Sequence, residues 1–274
     1  MRESSLRRRQ LVGSALGLAS SLAWAQTSGP GSNQPTDGAY DQIMRVRKII
    51  VAVPPDQPPY GFMDTDFSLR GLDVDMARYI ASKLGVQADL VPVVSANRIP
   101  YLQSGKVQLV ISTLGKNPER EKQIDFAAAY SPFFQAVFGP KTLSVRTAAD
   151  LSGKTIAVTK GALEDIELTK LAPPNADIRR MDDNTKTASA FVAGQAQLVA
   201  MGASAAGMLM VRNPKLDMEY KLLIKDSPNY VGVAKGEDRL RLMVNGIIAE
   251  AKKSGELDRL ARKWLGRPAG DLPL

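Results

Sequence analysis

The chain has no cysteine and no histidine among its 274 residues. The first absence excludes disulfides, and the two together exclude the usual zinc sites and any nucleophile activated by a histidine base. Most familiar hydrolase chemistry is thereby removed, and neither a metal nor a cofactor is expected. Long apolar runs are also missing. The longest, at residues 11–22, is well short of the roughly 20 residues that span a bilayer. A basic stripe interleaved with aromatics is absent as well, because Lys and Arg alternate with Asp and Glu along the chain, so nucleic acid is not expected as a partner. What is present, 44% apolar and 23% charged residues, is the composition of an ordinary globular protein.

The N-terminus reads as an export signal. Arg7, Arg8 and Arg9 precede the apolar stretch, and Ala23-Trp24-Ala25 has the small-x-small form of a cleavage site. Arg8-Arg9-Gln10-Leu11-Val12 also resembles the twin-arginine motif, so both export routes stay open. Removing residues 1–25 takes four arginines and one acid from a net charge of +8 and leaves +5. That excess is a weak bias toward anionic solutes. Residues 26–39, rich in Gly, Pro, Ser and Asn, read as a solvated linker.

From residue 40 onward, strand-like and helix-like stretches alternate. Strands are expected at 49–53, 88–93 and 107–111, with helices at 73–84 and 99–103 between them. This order implies a parallel sheet with helices on both faces. A second series starts with a strand at 154–158, continues with a helix from about 162 and reaches a strand at 198–201. The strand at 230–234 and helices at 238–253 and 257–264 close the pattern. The fold class expected is α/β, in two lobes.

Gly71-Leu72-Asp73-Val74-Asp75-Met76, with Ile80-Ala81 and Leu84, resembles the signature of the family 3 solute-binding proteins, the polar-amino-acid receptors of ABC importers. Further matches follow in the family's order: Pro58-Pro59-Tyr60, Ile99-Pro100-Tyr101, Asn117-Pro118-Glu119-Arg120, Lys160-Gly161 and Gly255-Glu256-Leu257. The resemblance implies a two-lobe periplasmic binding protein fold, closing on a ligand in the cleft. It implies lobe 1 at residues 40–136 and 229–274, lobe 2 at 137–228, a periplasmic location, a monomer and a membrane permease as partner.

The likeness also assigns a candidate site. Arg120 would hold the ligand carboxylate, since a guanidinium matches a carboxylate with two parallel hydrogen bonds. Thr113 and Gly115, in the turn after the third strand, would add backbone N–H groups, and Tyr60 would wall the cleft. Gly161 would open a helix N-terminus able to meet an anion. Ser95 and Arg98 lie in Ser95-Ala96-Asn97-Arg98-Ile99-Pro100, which is similar to the glutamate/aspartate-binding branch, where they contact a second carboxylate. The alternative for both arginines is a solvated residue at a helix start. Two departures stand out: Gly202 occupies the position where the family carries an Asp for the ligand ammonium, and Ala162 the position where it carries a Thr that adds a hydroxyl. Asp182, Asp183 and Ser204 are the candidate replacements, and a helix cap is the other reading of the Asp pair. The missing anchor keeps a second class open, a periplasmic enzyme similar to cyclohexadienyl dehydratase, with Glu164 or Asp165 as proton donor.

Overall fold

The computed structural model describes residues 38–273. The expected signal and most of the linker lie outside those residues.

Two five-stranded sheets organise the chain. The first has the order Gln87–Pro92, Lys48–Val53, Leu109–Val110, Asn229–Ala234, Ile124–Ser131. Its first three strands are parallel, and Asn229–Ala234 runs antiparallel to both of its neighbours. The second has the order Asp177–Met181, Thr155–Thr159, Leu198–Gly202, Phe134–Pro140, Met218–Asp226. Again a single strand, here Phe134–Pro140, runs antiparallel to both of its neighbours, and the other four run one way.

Both sheets are therefore mixed, which corrects the expectation of a parallel sheet. The cause is the path of the chain. It leaves the first sheet after Ser131, enters the second at Phe134, leaves it after Asp226 and returns at Asn229. A parallel neighbour is reached through a helix that carries the chain back to its starting edge. A strand arriving from the other lobe enters at the cleft edge and must run the opposite way.

Local chemistry explains the elements. Lys48–Val53 is rich in β-branched residues, and Ile49, Val51, Ala52 and Val53 are fully buried. Helix Asp238–Ser254 buries Leu240, Val244, Ile247, Ile248 and Ala251, a stripe at helical spacing, and ends on Gly255 in the left-handed conformation. Each sheet is covered on both faces. Ile49, Val51 and Ile80 pack on one side of the first and Ala52, Leu102 and Val110 on the other. Ala157, Val199 and Phe191 do so on one side of the second, with Val158, Ala200 and Leu168 opposite. Burial on both faces is what lets strands such as Leu198–Gly202 be apolar throughout.

Candidate functional site

The first lobe presents its site at the cleft ends of the parallel strands. After Val110 the backbone turns through Ser112 and Thr113, and Thr113 sits at φ 42°, a left-handed conformation that a β-branched residue avoids. What holds it is Asp73, in the first turn of helix Leu72–Leu84. One Asp73 oxygen accepts the Thr113 N–H at 2.7 Å and the other accepts the Tyr130 hydroxyl at 2.8 Å. Burial outweighs these two donors and the nearby Arg98 charge, and raises the Asp73 carboxyl to about 7.

Both arginines are buried at 3% exposure, so neither is the solvated helix-start residue of the alternative reading. Arg98 donates from Nε to Ser112 Oγ at 3.1 Å and from Nη2 to Thr113 Oγ1 at 3.0 Å. Arg120 opens toward the cleft because Asn117 caps its short helix, accepting the Arg120 N–H at 2.9 Å, with Pro118 in the first turn. Its guanidinium donates to the Gly115 carbonyl at 2.8 Å and, across the cleft, to the Gly161 carbonyl at 3.0 Å. Burial, followed by the neighbouring Arg98 charge, lowers the Arg120 pKa to about 10. All four acceptors are neutral. Among the described residues neither guanidinium takes part in an ion pair. Two buried cations without a contacting carboxylate form a strong attractor for an anion.

The second lobe meets this shelf through Gly161 and helix Leu163–Leu171. Gly161 has φ +73°, and a Cβ there would stand 2.9 Å from the Ala96 α-carbon. Leu163 fills the space that a side chain on Gly115 would need, its Cδ2 lying 2.3 Å from an ideal Cβ. Asn117 donates to Glu167 at 3.0 Å, Lys170 pairs with Glu119 at 2.9 Å, and Asn184 donates to Asp56 through its backbone at 2.7 Å. These contacts define a closed arrangement. Glu164 is enclosed by it, and burial raises its carboxyl against the pull of its own N–H, Arg98 and Arg120. Asp165, by contrast, is engaged: it accepts the Gly161 N–H at 3.0 Å and pairs with Arg180 at 2.8 Å.

The remaining candidates divide. Ser95 is buried beside Ala96, and its hydroxyl has no hydrogen-bond partner among the described residues. Tyr60 is buried at the crossing segments, donating to the Pro132 carbonyl at 2.7 Å and meeting Phe133 edge-on at 5.1 Å. Ala162 is the N-cap residue of helix Leu163–Leu171 and contributes no hydroxyl. Asp183 caps helix Asn184–Val192, accepting the Lys186 N–H at 2.7 Å, while the exposed Asp182 pairs with the Lys186 ammonium at 2.7 Å. The helix-cap reading thus describes how the structure uses Asp183. Gly202 has no room for a side chain: a Cβ would stand 2.3 Å from Phe133 Cζ and 3.2 Å from Gln57 Nε2.

Sequence reasoning missed Asp73 and Tyr130 as supports of the Thr113 turn, together with Gln57 and Gln135 near Gly202. Asp73 carried a signal, an acid at a helix start ahead of an apolar face. The glutamines carried none. Beside the site, a cavity of about 420 Å³ opens between helices Asn184–Val192 and Ala203–Arg212, and none of the candidate residues lines it. Among the described residues no cluster of acids could hold a metal, and no helix is long and apolar enough to cross a membrane.

The chain is similar in sequence and fold to known proteins. The L-cystine-binding protein TcyJ of Escherichia coli is 27% identical over 238 residues, spanning 84% of this chain and 87% of the relative. The glutamate/aspartate import solute-binding protein of Salmonella typhimurium is 25% identical over 275 residues, spanning 92% and 86%. Among solved structures, the solute receptor for L-cysteine of Neisseria gonorrhoeae matches with a TM-score of 0.77 at 31% identity, covering 82% of this chain and 93% of that one. A family model matches residues 49–267, and the chain belongs to the bacterial extracellular solute-binding proteins, family 3.

Proposed function

We propose that this protein is the periplasmic receptor of an amino-acid ABC importer, binding a small carboxylate-bearing solute between its lobes and delivering it to a membrane permease. The observation that carries the reading is Arg120, a buried guanidinium bonded at once to the Gly115 carbonyl of one lobe and the Gly161 carbonyl of the other. A cation placed there couples anion binding to closure, because an anion on Arg120 touches both faces. Arg98, supported by Ser112 and Thr113, adds a second cation suited to a further carboxylate. The lobes in this reading are residues 40–136 with 229–274, and residues 137–228, and the receptor works as a monomer. The test is a thermal-shift screen of amino acids and dicarboxylates followed by calorimetry. A ligand at 100 times its Kd adds about 2.7 kcal/mol of stability. Arg120→Ala should abolish the shift for every compound that gives one.

A second reading is favoured by Glu164, a buried acid with a raised pKa facing two guanidinium groups, which is the setting of a proton donor. Turnover of prephenate or arogenate by the purified protein, lost in Glu164→Gln, would make it an enzyme. The receptor reading predicts no turnover.

A further inference from the structure

Gln135 is the second residue of strand Phe134–Pro140, directly after the first crossing segment, and its exposure is 0%. Among the described residues neither its Oε1 nor its Nε2 has a hydrogen-bond partner. A carboxamide offers two donors and an acceptor, and buried ones almost always find partners.

The register shows where this amide lies. Ala136 and Phe138 pack with Ala206 on one face of the second sheet, and Val137 packs with Leu168 and Ala200 on the other. Side chains alternate along a strand, so Gln135 shares the face of Val137, the one that helix Leu163–Leu171 covers. Its partner across the ladder is Gly202, the last residue of its strand at the cleft. The helix that covers this face, through Leu168, carries Glu164 in its first turn and follows the Gly161 carbonyl that binds Arg120. From the first lobe, the Ser95 hydroxyl, without a partner among the described residues, flanks Ala96, against which Gly161 packs.

We infer that Gln135 is a ligand-recognising residue of the second lobe, holding with both ends of its amide an uncharged solute group, a hydroxyl or a carboxamide, that donates and accepts hydrogen bonds at once. The inference rests on the cleft reading above and narrows the solute. An amide carries no charge to offset an ammonium or carboxylate drawn out of water, so the group it receives is neutral. Gly202 leaves this position without an acid, and the space above it belongs to Phe133 and Gln57, so Gln135 is the polar group the sheet supplies there.

Calorimetry tests this with L-glutamine, L-serine, L-malate, L-glutamate and L-norleucine as probes, on the wild type, Gln135→Met, Gln135→Glu and Arg120→Ala. Methionine keeps the volume and removes both polar ends, whereas glutamate keeps the shape and removes the donors. A probe bearing a hydroxyl or carboxamide should bind the wild type best and lose at least tenfold in each Gln135 variant. The unliganded Gln135→Met protein should melt no lower than the wild type, because an unsatisfied buried amide has gone. Unchanged affinity in the folded Gln135 variants, or norleucine as the tightest probe, overturns the inference. If Arg120→Ala has lost binding in that same experiment, the cleft reading stands without it. If no probe binds the wild type, or Arg120→Ala binds as tightly, both fall together.

Discussion

At the scale of single residues, the two arginines are expected to separate by ligand. Arg120→Ala should weaken every accepted ligand by roughly 2 to 5 kcal/mol, since truncating one partner of a buried charge pair strands the other. Arg98→Ala should weaken only ligands that carry a second carboxylate. Calorimetry with glutamate and a monocarboxylate distinguishes the two, and equal losses for both ligands in Arg98→Ala would count against the assignment. Asp73 makes a second, independent prediction. Burial holds its carboxyl at about 7 in the folded protein, above the ordinary value near 3.9 of an unfolded chain. Between those values the native state keeps a proton that the unfolded state has released. Its contribution to stability is therefore full below about pH 4 and lost as the pH rises toward 7, by roughly 4 kcal/mol across the window. Urea unfolding from pH 4 to 7 should show that decline in the wild type and a flatter curve in Asp73→Asn.

At the scale of elements, legibility followed periodicity and caps. Helix Leu72–Leu84 announces itself through its apolar spacing and Gly85, and Asn117-Pro118-Glu119-Arg120 is a capped first turn that fixes where Arg120 points. Ile124–Ser131 and Phe134–Pro140 had no such announcement. Their alanines lack strand propensity, and Pro132 interrupts what would otherwise be one run, so the two strands that carry the chain between lobes went unseen. With them went the antiparallel strand of the second sheet, and Gln135. The closeness of the lobes was likewise invisible, because nothing local reveals that Gly161 must pass the Ala96 backbone. Gly161→Ala should therefore weaken binding at least tenfold by calorimetry: its Cβ meets the Ala96 α-carbon at 2.9 Å, and φ +73° disfavours any side chain. Gly202→Asp, the change that would introduce the acid implied there by the family resemblance, should instead destabilise the protein by about 1 to 3 kcal/mol in urea through overpacking against Phe133.

At the scale of the whole molecule, the proposed receptor is two lobes whose facing surfaces carry complementary halves of one site. The first supplies two buried cations, Arg120 and an Arg98 bonded to the strained turn at Thr113, and the second supplies a carbonyl, the buried Glu164 and an amide without a partner among the described residues. Without an acid at Gly202, discrimination between glutamate and its des-amino analogue glutarate should stay below about 100-fold, since no carboxylate is stranded there when the ammonium is removed. The contacts of the closed arrangement, Arg120 to Gly161, Asn117 to Glu167 and Asn184 to Asp56, are individually modest. A ligand touching both faces is what biases the equilibrium toward them. Small-angle scattering, with and without a saturating compound that raises the melting temperature, tests this most directly. Ligand-driven closure predicts a smaller radius of gyration in the liganded protein. An unchanged radius, with binding independently confirmed by calorimetry, would contradict it.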